Sequence, residues 1–241
     1  MSRRIDLNSD VGEGFGHWPG GPDEELMPQL TSVNVACGFH AGDPSIMRRT
    51  CELARQHDCA IGAQVSYPDL GGFGRRFIDM QPGELTDAVV YQLGALDAFA
   101  RANGTRVRYV KPHGALYNTI VEHERQAAAV VAAIHEYDAT LPVLGLPTSA
   151  VQRACEVAGV RFIAEGFADR AYTPEGRLVP RTQEGALITD PTAAAEHAVA
   201  LAKTGVQSIC VHSDTPGAVA ILGAVTKALT ADGFQLQPFA Q

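Results

Sequence analysis

The ten residues Asn34 to Asp43, NVACGFHAGD, set a thiol, an imidazole and a carboxylate beside two glycines. Gly38 and Gly42 allow backbone conformations closed to bulkier residues, so a ligand could approach the main chain around Cys37 and His40. His40, and His113 in KPHGALYN, occupy glycine-flanked loops where an imidazole can titrate near neutral pH or coordinate a metal. Lys111 closes an otherwise apolar strand, VRYVK, so its ammonium is expected to enter a cavity, where it needs an anion: substrate, Glu165 or an aspartate. Arg75 and Arg76 stand together among glycines and aromatics and could clamp a carboxylate or phosphate. Cys37 could act as a nucleophile beside His40, although a small buried cysteine at a strand end is the simpler reading.

Other polar residues have plainer roles. Asp43, Asp190 and Asp214 each stand one or two residues before a proline that starts a helix; capping alone explains Asp190 and is the simpler reading of Asp43, while for Asp214 capping and a role in the site stand side by side. His57, His123, His135 and His197 fall on helices or helix ends and read as surface residues. There is no GxxxxGK[ST] phosphate loop, no GxSxG elbow and no HExxH, and GEGFGH fails the dinucleotide spacing at His17.

The elements that must position these groups alternate in type. Strands are expected at Arg4 to Leu7, Ser32 to Ala36, Cys59 to Val65, Val107 to Lys111, Pro142 to Leu146, Arg161 to Ala164 and Ser208 to His212, with a short one at Leu187 and Ile188. Helices are expected from Pro44, over Pro82 to Ala102, Glu124 to Tyr137 and Ser149 to Ala158, from the Asp190–Pro191 start, and from Pro216. Gly104 and Gly159 serve as stops. Polar loops follow the first, third and sixth strands: DLNSDVGEGFGHWPGGPDE, SYPDLGGFGRRF and EGFADRAYTPEGRLVPR. Asp6, Asn8, Asp10, Asn34, His40, Gln64, Ser66, Lys111, His113, Glu165, His212 and Asp214 all lie at or just past the carboxyl end of a strand. A closed barrel gathers such ends around one cavity, so a parallel β/α barrel is favoured over an open sheet.

The length of 241 residues, 46% of them hydrophobic, suits one barrel domain spanning 1–241. A formal charge of −8 argues against nucleic-acid and acidic-membrane partners. The polar start MSRRIDLNSD and the brevity of the longest apolar run, Ala127 to Ile134, point to a cytoplasmic protein. Five cysteines without a CxxC pair fit reduced thiols.

Taken together, DLNSDVGEGFG, NVACGFHAGD, SYPDLGGFGRRF, VKPHGALYN, EGFADRAYTPEGRLVPR and VHSDTP make the chain resemble, from first strand to last, the lactam-utilisation (LamB/YcsF) family. Members of that family serve as the A subunit of the bacterial ATP-dependent 5-oxoprolinase. Two departures are visible: Gln64-Val65 replaces a common His-Pro, and Ser213 a common glycine. The resemblance implies an irregular seven-stranded β/α barrel similar to the glycoside hydrolase/deacetylase type. It also implies opening of 5-oxo-L-proline to L-glutamate with ATP hydrolysis, and partner subunits B and C. From the wider barrel superfamily it implies a divalent metal on Asp10, His40 and His113.

Without a phosphate loop in this chain, ATP is expected to act through the partners, activating a lactam that this subunit hydrolyses. Asp10 or His40 would be the base, Lys111 and His113 would stabilise the anion, and Arg75 or Arg76 would hold the substrate carboxylate. Asn8, Asn34, Gly38, Asn118, Glu165 and His212, from the same motifs, complete the expected substrate contacts. The alternatives are a stand-alone metal-dependent deacetylase or amidohydrolase, and a non-catalytic substrate-binding subunit.

Overall fold

In a computed structural model that describes residues 3–240, seven parallel strands close into a barrel. They are β1 (Arg3–Val11), β2 (Ser32–Ala36), β3 (Ala60–Gln64), β4 (Val107–Val110), β5 (Val143–Gly145), β6 (Phe162–Phe167) and β7 (Ser208–Cys210), each paired with the next, with β1 also pairing with β7. An eighth strand, β8 (Phe234–Leu236), pairs in parallel with the first residues of β1.

The helices are α1 (Asp23–Leu26), α2 (Pro44–Gln56), α3 (Pro82–Ala102), α4 (Gly114–Thr119), α5 (Glu124–Asp138), α6 (Ala150–Ala158), α7 (Pro191–Lys203) and α8 (Ala218–Ala231). Local chemistry sets their ends. Asp43 caps α2 by accepting from the Ser45 and Ile46 amides, Asp190 accepts from Ala193 to start α7, and Ser149 accepts from Gln152 to start α6. Gly159 ends α6 in the left-handed conformation, at φ 69°. Buried Leu85, Val89, Leu93, Leu96 and Ala100 repeat at helical spacing along α3 and join the main apolar core. Among the described residues no helix is long and apolar enough to cross a membrane.

The first strand is longer than its sequence suggests, because it runs through the polar stretch DLNSD that reads as loop. Ile5, Leu7 and Val11 join the apolar core, while Asp6, Asn8 and Asp10 meet polar groups of other strands. Asp6 accepts from Ser32, Ser208 and Thr31; Asn8 donates to Ser208 and Glu165 and accepts from Asn34; Tyr109 donates to Asn34. Hydrogen bonding across strands offsets the cost of burying these groups. Three smaller expectations also change. Leu187 makes only an isolated antiparallel bridge to Arg170, the last helix starts at Ala218 behind Gly217 rather than at Pro216, and α1, α4 and β8 were not foreseen.

Candidate active site

The carboxyl ends of the strands surround a cavity of about 490 Å³. Asp10, Gln64, Lys111, His113 and His212 line it from the strand ends, Arg75, Asn118 and Arg181 from the loops and α4.

On its floor, Lys111 is 3% exposed. Its Nζ donates to Glu165 Oε1 at 2.7 Å, Asn8 Oδ1 at 3.1 Å and Cys210 Sγ at 3.2 Å, and lies 3.6 Å from Asp10 Oδ1. Burial works against the ammonium, but Cys210, Glu165 and Asp10 outweigh it, so Lys111 stays charged, held well above the usual lysine range. All three ammonium hydrogens are therefore engaged by the chain, and the thiol is the weakest acceptor of the three. Asn34 fixes Asp10 by donating to Oδ1 at 2.9 Å, and Tyr117 donates to Glu165 Oε2 at 3.0 Å.

At one wall His113 stacks on His40 behind it, with ring centroids 3.8 Å apart and planes within 10°. Phe73 O, which can only accept, lies 2.9 Å from His113 Nε2; that nitrogen therefore carries the proton, and Nδ1 accepts from Gln64 Nε2 at 3.0 Å. Burial, and then His40, hold His113 well below the ordinary imidazole range, so it is neutral. Gln64 Oε1 lies 3.2 Å from His40 Nε2, so one amide ties the two rings. Glu13 Oε1 is 3.4 Å from His40 Nε2 and from His113 Nδ1, and burial drives its carboxyl upward against the hydrogen bond from His40. Gly74 makes this packing feasible: at φ 64°, a Cβ there would lie 2.9 Å from both His40 and His113.

On the opposite wall, His212 Nδ1 meets Asp169 at 3.0 Å and its ring stacks on Phe167, with centroids 5.0 Å apart. Asp169 also accepts from the His212 amide and the Thr215 hydroxyl. Burial raises its carboxyl, but the imidazole and these hydrogen bonds overcome that and hold it at about 2. A fixed carboxylate on Nδ1 aims the other nitrogen of His212, which suits proton transfer. Above it, Asp214 bridges Arg75 and Arg181.

The structure thus gathers Asp10, Lys111, His113, Arg75, Asn118 and His212 at the cavity, with Asn8, Asn34 and Glu165 bonded to one another or to Lys111 around its floor. Other residues differ from expectation. His40 is buried and absent from the lining; His113 has no N–H left to offer an anion. Arg76 turns away to Asp69, whose carboxylate accepts from Arg76 Nε at 2.9 Å and from the Gly72 amide. Gly38 belongs to a tight turn closed by Ala41 O, and the close approach occurs at Gly74 instead. Cys37 is a buried thiol donating to Val35 O, and burial drives it far upward. His197 is half-buried, edge-on to Tyr172. Glu13, Asp169 and Arg181 were missed as site residues, although each lies in a polar loop that the sequence marks.

The metal set expected from the resemblance is not assembled. Asp10 serves Asn34 and Lys111, and Glu13 is the carboxylate that reaches both imidazoles. The ligand atoms of Glu13, His40 and His113 lie within 4.8 Å of one another. An imidazole binds an ion in its own plane at roughly 2.0–2.1 Å, and two near-parallel planes with centroids 3.8 Å apart offer no common point at that distance. With the Gln64 amide also on His113 Nδ1, these residues do not fit one shared ion.

The LamB/YcsF family matches residues 5–241. A relative from Streptomyces avermitilis, named as the A subunit of 5-oxoprolinase, is 55% identical over 249 aligned residues, covering 98% of this chain and 100% of that one. The crystal structure of a lactam utilization protein from Thermus thermophilus is 37% identical with a TM-score of 0.93, covering 98% and 100%. A polysaccharide deacetylase from Bacillus cereus, 11% identical with a TM-score of 0.55 over 99% of this chain and 92% of that one, shares the fold alone.

Proposed function

The chain belongs to the LamB/YcsF family, and on that premise we propose that it is the A subunit of an ATP-dependent 5-oxoprolinase. It acts in the cytoplasm with subunits B and C and opens 5-oxo-L-proline to L-glutamate. The observation that carries this reading is the pairing, across one cavity, of a carboxylate beside a buried ammonium with an Asp169-oriented His212. Amide hydrolysis needs both a base for water and an acid for the leaving nitrogen.

A five-membered lactam is resonance-stabilised, and phosphorylating its oxygen makes the ring carbon a better electrophile. With no phosphate loop in this chain, the ATP-dependent step falls to the partners. Water then adds to the ring carbon as Asp10 takes its proton. The C–N bond breaks as His212 protonates the nitrogen, leaving γ-glutamyl phosphate. A second water releases phosphate and glutamate. Each proton transfer contributes about 10²- to 10⁴-fold. Negative charge on the oxygen that water brings to the ring carbon is met by Lys111, whose weak contact with Cys210 Sγ is the one an oxyanion most readily replaces. Arg75 reaches the cavity and suits the substrate carboxylate.

The test is glutamate release from 5-oxo-L-proline and ATP by this chain alone, by subunits B and C alone, and by all three. Activity only in the full mixture is expected. Release by this chain alone would instead favour the stand-alone amidohydrolase, and absence of glutamate from every mixture of folded proteins would remove the substrate assignment.

A further inference from the structure

Three loops distant in sequence meet over the mouth of the cavity. Asp214 Oδ2 lies 2.5 Å from Arg75 Nη2 and 3.1 Å from Arg181 Nη1, and Asp214 Oδ1 is 3.2 Å from the same Arg181 nitrogen. Both arginines line the cavity, and Arg75 is further fixed over the Phe73 ring, 5.0 Å from its centroid. Asp214 does not cap a helix: α8 begins at Ala218, with Gly217 at its N-cap. Its bonds to the two guanidinium groups leave this cluster with one uncompensated positive charge.

Resting on the reading above, we propose that Arg75 and Arg181 form the seat for the substrate's carboxylate and that Asp214 is an internal stand-in which that carboxylate displaces. Exchanging one carboxylate for another keeps the charge and the fork geometry of guanidinium recognition. A lactam without a carboxylate has nothing to exchange, so the latch discriminates for the acid. Arg181 becomes the specificity residue, carried by the loop of residues 168–190, whose residues Leu178 to Thr182 form part of the cavity wall. Since the seat is closed by the chain itself, apparent affinity is reduced by the fraction of time the latch is shut.

Calorimetric titration of the full chain with acetate, 5-oxo-L-proline and 2-pyrrolidinone, at low salt, tests this. If Asp214 occupies the seat about nine-tenths of the time, Asp214→Asn tightens acetate and 5-oxo-L-proline about tenfold and leaves 2-pyrrolidinone unchanged. Arg181→Gln should weaken both carboxylates and spare 2-pyrrolidinone. Asp214→Ser, with thermal melts of every variant, supplies a second opened latch should the asparagine variant not fold. Acetate binding that is no tighter in a folded Asp214 variant, or an equal gain for 2-pyrrolidinone, overturns the proposal. Acetate that tightens while 5-oxo-L-proline does not bind leaves the seat standing and removes the oxoproline reading instead.

Discussion

Replacing Lys111 by Met removes the ammonium from the barrel floor and leaves Glu165, with a fully buried side chain, and Asp10 facing Asn8 and each other's field. Breaking a buried pair by deleting one partner costs about 3–5 kcal/mol, because an uncompensated charge stays behind. Against a total stability of roughly 5–15 kcal/mol, the variant should fold but melt about 10 °C lower. The ammonium is held well above the usual lysine range, so its stabilising contribution is complete below that range and is lost only at strongly alkaline pH. Between pH 5 and 8 it is constant in the wild type. The double variant Lys111→Met/Glu165→Gln should recover roughly half of the deficit, because Tyr117 and Asn8 can still hydrogen-bond the amide. Urea denaturation at neutral pH, with glutamate release from the assembled system, is the assay. A loss under about 1 kcal/mol would sink the argument that this charge is uniquely compensated. So would a double variant no more stable than the single one.

Four further outcomes are expected. Asp169→Asn should lower turnover by about 10²-fold or more with little change in KM, since His212 loses its orienting carboxylate but the cavity keeps its shape; a normal rate would remove His212 from proton transfer. Asp169 is held at about 2, below the ordinary carboxylate value of 3.8, so its roughly 2 kcal/mol of stability is present above pH 4 and lost as pH falls towards 2; acid denaturation of Asp169→Asn should lack that step. Asp6 shifts the other way, to about 6 against 3.8, chiefly through burial, so its protonated form favours the fold below pH 4 and on the order of 3 kcal/mol is lost as pH rises through 6. Asp6→Asn should flatten wild-type stability between pH 4 and 7 in denaturant titrations, and an unchanged slope would refute the assignment. Finally, dialysis against a chelator should leave melting temperature and turnover unaltered, because parallel imidazoles tied by Gln64 share no ion; a stoichiometric metal in the purified protein would contradict this.

Much of the scaffold can be read from local signals. Asp43 before Pro44, Asp190 before Pro191 and Gly159 after α6 act where they stand, and polar residues past the strand ends do converge on one cavity. What could not be read depends on partners far along the chain. Asp6 and Asn8 resemble loop residues until Ser208, two hundred residues away, supplies hydrogen bonds, and Asp10 does until Asn34 and Lys111 meet it. Asp214 has the local pattern of a cap, yet Arg75, 139 positions away, decides its role. Of two adjacent arginines, only the fold shows that Asp69 withdraws Arg76 and leaves Arg75 at the cavity. Glu13 hides in a glycine-rich loop because its significance comes from two histidines on other loops.

The polar interior also bears on how the chain reaches its native state. Asn8 is satisfied by Ser208 and Glu165 only when the last barrel strands have docked on the first. A half-barrel assembled from the leading strands could already form the bonds from Thr31, Ser32 and Asn34, but it would leave the Asn8 amide without Ser208 and Glu165, Asp6 without Ser208 and Lys111 without Glu165, each at the cost of an unpaired buried group. Partly closed species are thus selectively penalised, and closure of β7 on β1 becomes the committing event. Such a barrel cannot be divided into autonomous halves: fragments cut between β4 and β5 should remain unstructured apart and acquire structure only together.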